Sequence, residues 1–153
     1  MNPFMALAFQ EAQEGIDRGE GGPFGAVIVK DGEVVASGHN EVLKTNDPTA
    51  HAEMVTIRKA SAKLNAFHLQ GCILYVTGEP CPMCFSAIHW AHLDAVYYVT
   101  TKKEAAAIGF DDTLITEIIL GKHRETIPFV HTPHTEGQKL LNRWRSSLKH
   151  RLY

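Results

Sequence analysis

Two short clusters hold the residue types that could do chemistry: His51-Ala52-Glu53 and Pro80-Cys81-Pro82-Met83-Cys84. On a helix, Cys81 and Cys84 are separated by about 300° of rotation, so both thiols lie on one side of a turn and can meet one ion. A helix N-terminus at that point adds partial positive charge and free N–H groups, which favour the thiolate forms a metal requires. His51 and Glu53 differ by about 200° and can share a target only at a helix end. Three ligands of the type N, S, S suit Zn²⁺, and with no fourth ligand evident nearby the last tetrahedral position is free for water. Zinc draws the pKa of such a water towards neutrality, and Glu53, a carboxylate that does not ligate, can move protons from it to a substrate and leaving group.

The elements that must position these clusters follow from periodicity. Asn2-Pro3 followed by Phe4, Leu7, Ala8, Ala12 and Ile16 reads as an N-cap, a proline at the first helical position and one apolar face, ending near Gly19. Residues 25–30 and 34–36, joined by Asp31-Gly32, predict a β-hairpin with a type I′ turn. After the polar loop 44–49, residues 50–63 predict a helix and 72–76 a strand; Glu79-Pro80-Cys81-Pro82 then opens a short helix to about Trp90, and 95–99 predict a further strand. Strand, helix, strand in that order predicts a parallel pair. Leu114, Ile115, Ile118 and Ile119 suggest a helix ending at Gly121, Ile127-Pro128-Phe129-Val130 a short edge strand, and Leu140, Leu141, Trp144, Leu148 and Leu152 one side of a last helix. The expected architecture is a three-layer α/β/α sandwich on a mixed five-stranded sheet, with residues 1–153 as a single domain. Two helix N-termini would then face one point beyond the carboxyl ends of neighbouring strands, where open α/β sheets form their sites.

Composition narrows the function classes. At 153 residues with 44% hydrophobic and 21% charged side chains, the chain is sized for one core. Its longest uncharged stretch, residues 64–78, is broken by Asn65, His68, Gln70 and Gly71, and Glu11 and Glu14 interrupt the first segment, so neither a membrane span nor a secretory signal is expected. Three cysteines cannot form a closed disulfide set, which points to a reducing cytoplasm. Residues 138–153 hold five basic side chains and no acid, against 10 basic and 17 acidic residues in 1–137, so any polyanion-binding function would have to sit at the tail.

Each cluster alone is a weak signal, since a lone Cys-X-X-Cys is more often a structural zinc knuckle or a redox pair. Together, His-X-Glu at a helix start and Pro-Cys-X-X-Cys at the next, with 28 residues from Glu53 to Cys81, match the signature of the zinc deaminases. The chain resembles the bacterial guanine deaminases of the cytidine deaminase-like superfamily. The resemblance runs through Gly21-Gly22-Pro23-Phe24-Gly25-Ala26-Val27-Ile28-Val29, Asn46-Asp47-Pro48-Thr49-Ala50-His51-Ala52-Glu53, Glu79-Pro80-Cys81-Pro82-Met83-Cys84, Gly109-Phe110-Asp111-Asp112 and the last residue, Tyr153. It implies one Zn²⁺ per subunit on His51, Cys81 and Cys84, with Glu53 as proton shuttle. It also implies a purine-base pocket in which Asn40 hydrogen-bonds the base, Phe24 and Trp90 form aromatic walls, Asp112 faces the guanine amino group, and Ala52 and Tyr153 contact the substrate. Chemically the Asp112 role is sound, because N1–H and the 2-amino group of guanine both donate and a carboxylate accepts two bonds. The family further implies a homodimer in which the C-terminal helix and tail, about 135–153, are exchanged so that Tyr153 closes the partner's site.

The expected reaction is zinc-dependent hydrolysis of guanine to xanthine and ammonia. A tRNA adenosine deaminase shares both motifs and would use the basic tail on RNA, although a basic helical face without interleaved aromatics is more often simply solvated. Deamination of another base or nucleoside stays open on the same motifs. A non-enzymatic zinc-stabilised binding module would need four protein ligands where three are found. Cys72 reads as a small buried apolar residue, His39, His89 and His92 receive no role, and His131 and His134, flanking Pro133 in a loop, are expected to be exposed rather than to hold a second metal.

Overall fold

The computed structural model describes residues 1–149 and 151–153. Helix α1 (Pro3–Asp17) starts where expected: Asn2 Oδ1 accepts hydrogen bonds from the Phe4 and Met5 N–H groups, and Pro3 sits at the first helical position. Its buried stripe is Met5, Ala8, Ala12 and Gly15, one position round from the predicted face, and Ile16 is exposed. Strands β1 (Gly25–Lys30) and β2 (Glu33–His39) pair antiparallel, and Asp31 and Gly32 take φ of 51° and 79°, the positive values the hairpin turn needs.

Strand β1 is central. It pairs antiparallel with β3 (Cys72–Gly78) on its other side, and β3 pairs parallel with β4 (Ala95–Thr100), giving the order β2-β1-β3-β4. Because both faces of β1 are covered, its sequence is a continuous apolar run rather than an alternation. Val27 and Val29 pack with Met5 and Ala8 of α1 on one face, while Ala26 and Ile28 join Leu74 and Val76 on the other. That second face is covered by α3 (Ala52–Leu64), which follows the short helix α2 (Val42–Thr45), and by α4 (Pro82–Trp90). The three-layer α/β/α arrangement is as expected.

Three features depart from the sequence reading. The sheet has four strands among the described residues, not five: at 127–130, Ile127, Phe129 and Val130 are exposed. There the N–H groups of Thr126 and Ile127 are taken by the Glu125 carboxylate in a local turn, and Pro128 has none to give, so the segment has few donors for a ladder. Beyond β4, helices α5 (Lys102–Ala107) and α6 (Thr113–Ile119) precede α7 (Thr135–Ser146), which ends before Leu148 and Leu152. Both leucines therefore lie outside the helix whose face they were expected to extend. Helices α2 and α5 were not anticipated, although Thr101 and Glu104 carry a capping box, Ser/Thr-x-x-Glu, at the start of α5.

Gly25 is where α1 and the sheet approach most closely. A Cβ there would lie 2.0 Å from the Ala8 carbonyl oxygen and 2.6 Å from the Ala12 nitrogen, both helix backbone. Gly25→Ala should therefore destabilise the fold by about 1–3 kcal/mol, since no flexible side chain can yield. A denaturant midpoint equal to that of the unsubstituted protein would disprove this close approach.

Candidate functional site

His51 is the N-cap of α3 and Cys81 the N-cap of α4, and neither side chain caps its own helix, so both are free to turn towards a common point. Asp47 Oδ1 accepts from the Thr49 N–H at 2.8 Å and the Thr49 hydroxyl at 2.7 Å, which fixes the turn leading into α3. Pro82 starts α4 directly after Cys81 and places Cys84 in the first turn. The outcome is that His51 Nδ1 lies 3.5 Å from Cys81 Sγ and 3.6 Å from Cys84 Sγ. With Zn–N and Zn–S bonds of ordinary length, a tetrahedral N···S edge is about 3.5 Å. The donor set fits zinc in both chemistry and spacing.

The electrostatics favour one of the two thiolates, that of Cys81, at the expense of the other. The Cys84 thiol donates to Cys81 and, with His51 on its other side, holds Cys81 down to about 4, against the opposing effect of burial. Cys84 is pushed up by that same bond, by burial and by Glu53, and His51 is raised by its contact with Cys81. Glu53, only 6% exposed in the first turn of α3, is raised above its ordinary value chiefly by burial. A carboxyl whose proton is held more tightly than usual suits transfer near neutral pH.

A cavity of about 710 Å³ opens over these residues, lined by Phe24, Asn40, His51, Glu53, Cys81 and Asp112 among others. Asn40, 5% exposed, is fixed at the end of β2 by its N–H to the Phe24 carbonyl (3.0 Å), and its Oδ1 accepts from the Val42 N–H at 3.1 Å. Phe24 meets Phe110 edge to face, with centroids 5.0 Å apart. Asp112 is raised mainly by burial, an effect opposed by Lys102, whose Nζ lies 4.0 Å from Asp112 Oδ2.

Other predicted residues lie elsewhere. Cys84 is fully buried and outside the cavity lining, and the Ala52 side chain belongs to the core cluster. Trp90 does not line this cavity; it is 63% exposed at the far end of α4, and nine residues of helix carry it about 13 Å along the axis from Cys81. Tyr153 packs near Trp90, with centroids 6.0 Å apart, in a separate shallow depression with His89 and His92. Lining residues that sequence reasoning missed include Lys102 and Glu79, which meet through the Lys102 N–H and Glu79 Oε2 at 3.0 Å. His39, left without a role, is buried with Nδ1 3.1 Å from Glu11 and Nε2 2.6 Å from Glu20, and Glu11 also accepts from the Ser37 hydroxyl. No motif announces that cluster, because its members come from α1, the following turn and β2.

Because zinc competes with protons for His51 and both thiols, zinc affinity should fall as pH is lowered, and Cys84→Ala should abolish stoichiometric binding. Metal content after dialysis over a pH series checks both, and zinc retention by the Cys84 variant would remove that residue from the donor set.

Residues 1–100 match the family described as the cytidine and deoxycytidylate deaminase zinc-binding region. The chain is 49% identical to a guanine deaminase of Bacillus subtilis over 94% of this chain and 92% of that protein. It is 36% identical to a tRNA-specific adenosine deaminase of Aquifex aeolicus, covering 97% and 96% of the two. An X-ray structure of guanine deaminase from Bacillus subtilis superimposes with a TM-score of 0.94 at 46% identity, over 100% of this chain and 99% of that one. With its His, Cys, Cys donor set at zinc spacing and these relatives on either side, the chain belongs to the zinc-binding cytidine and deoxycytidylate deaminase family.

Proposed function

We propose that this protein hydrolyses guanine to xanthine and ammonia with one Zn²⁺ per chain. The observation that carries the reading is that one cavity is lined by His51 and Cys81 of the N/S donor set, with the buried Cys84 donor within 4.8 Å of both, by the carboxyl of Glu53 and by a second carboxyl at Asp112. His51, Cys81 and Cys84 would hold the ion, which when bound supplies Lewis acidity and an activated water at neutral pH. Glu53 takes a proton from the attacking water, delivers it to the ring nitrogen next to the reacting carbon, and then protonates the leaving amine. Asp112 accepts from N1–H and the 2-amino group, Asn40 offers its amide N–H to the base, and Phe24 covers a ring face. Water adds to C2, the C2–N bond breaks, and the products balance as xanthine plus ammonia.

Identity to a guanine deaminase over nearly the full length of both chains supports the substrate. The adenosine deaminase relative of Aquifex favours a second reading, action on tRNA. Ammonia release on guanine, adenosine and an anticodon stem-loop RNA separates the two. Release from guanine is expected, and activity on the RNA alone would replace the substrate while keeping the zinc chemistry. Glu53→Gln should keep zinc and lower kcat on guanine by about 10²–10⁴-fold; near-normal turnover would remove Glu53 from proton transfer.

A homodimer with exchange of residues 135–153 accounts for the tail. Every residue of α7 is exposed, including Leu140, Leu141 and Trp144, and Tyr153 sits beside Trp90 rather than at its own chain's cavity. Exchanged onto a second copy, Tyr153 would close that copy's pocket, leaving residues 1–153 a single domain completed by its partner. Free Cys72, Cys81 and Cys84 suit a reducing cytoplasm, and no helix among the described residues is long and apolar enough to cross a membrane. Co-expressed Glu53→Gln and Tyr153→Ala chains should form hybrids in which one intact Tyr153 closes one site with an intact Glu53. Such hybrids should regain guanine turnover that neither variant has alone, and failure of isolated hybrids to do so would place Tyr153 outside the partner's site.

A further inference from the structure

With Asp112 on N1–H and the 2-amino group, as read above, guanine turns towards that wall an edge that carries three groups in a row: the 2-amino donor, the N1–H donor and the 6-oxo acceptor. A carboxylate satisfies the first two and, having only lone pairs, repels the third. A 6-oxo group next to that carboxylate therefore needs its own donor, and the donor must stand next to Asp112.

One side chain in the cavity meets that condition. Lys102 lines the same wall as Asp112, with Nζ 4.0 Å from Oδ2, a separation that leaves the ammonium beside the carboxylate without a tight direct pair. Of the basic side chains lining the cavity, His51 belongs to the donor set and Lys102 is the other. Its backbone is anchored: the Lys102 N–H donates to Glu79 Oε2 at 3.0 Å, and the Thr101–Glu104 capping box fixes the first turn of α5. The side chain is 34% exposed, open enough to reach a ligand. Asp112 itself stands at the start of α6, so two helix starts bring the pair together across one wall. In the DNA major groove, too, lysine donates to guanine O6.

We propose that Lys102 is a specificity-determining residue that donates a hydrogen bond to the 6-oxo group, making Lys102 and Asp112 a joint reader of the oxo and amino edge. This rests on the reading of the site as a guanine deaminase. A 6-amino purine would turn a donor towards the ammonium and lose the contact, so the pair selects for guanine over 2,6-diaminopurine as well as over adenine.

The test uses full-length, zinc-loaded protein with guanine and 6-thioguanine, which keeps both ring-edge donors and replaces only the 6-oxygen by a weaker acceptor. Lys102→Met, with its zinc content verified, should lower kcat/KM for guanine by about 10- to 100-fold and that for 6-thioguanine much less, so that the preference for guanine narrows. Lys102→Arg, which retains a donor, should recover part of the preference. Equal losses on both substrates would mean that Lys102 acts only through the shape of the wall, and unchanged guanine kinetics would remove it from recognition; either result overturns the proposal. Unsubstituted protein that releases no ammonia from guanine would instead overturn the reading of the substrate on which the proposal rests.

Discussion

The convergence of two helix N-termini on one point is the constraint from which the site follows. His51 and Cys81 sit at the caps of α3 and α4, outside the helical repeat, and this frees a residue pair separated by about 200° to serve one target. The sheet makes the convergence rigid, since α3 packs on β1 and β2 while α4 connects β3 to β4. Donor spacings of 3.5 and 3.6 Å are set by backbone elements rather than by mobile loops. A site pre-formed in this way loses little entropy when an ion binds.

Around that point the molecule separates two carboxyls by environment. Glu53 is buried in the first turn of α3 beside the sulfurs, where burial favours its protonated form. Asp112 lies across the cavity with Lys102 close by, whose charge opposes the effect of burial. Both carboxyls are thus raised by burial, and their neighbours distinguish them: Glu53 stands beside the donor set, whereas Asp112 has an ammonium that favours its carboxylate, the form that accepts hydrogen bonds. Behind the cavity wall, His39 joins Glu11 and Glu20 in a buried cluster on the α1 side of β2. Strand alternation then directs the next residue, Asn40, to the opposite side, where it lines the cavity.

The tail obeys a different logic from the body. Its apolar residues are held out from the sheet, and the edge strand β4 keeps Tyr97, Tyr98 and Val99 half exposed. An apolar surface of this kind is suited to association, and it contrasts with the dense packing of β1 between its two helical layers.

Much of this was legible in the sequence because the signals were local. Asn2-Pro3, Asp31-Gly32 and the Pro82 start each act within one turn, and the corresponding elements stand where those residues put them. The zinc chemistry was equally legible, because two thiols three residues apart and a histidine and glutamate at a helix start restrict the geometry before any fold is known. Residues 127–130 misled because β-like composition cannot supply a partner edge, Glu125 takes the Ile127 N–H and that of Thr126 before it, and Pro128 has none. Only the tertiary structure brought Lys102 beside Asp112 from separate helices, enclosed His39 between two carboxylates distant in sequence, and put Trp90 at the wrong end of α4 for its own cavity. The physical reason is the same in each case: residue type and spacing determine what a side chain can do within a turn, whereas its neighbours are chosen by how helices and strands pack.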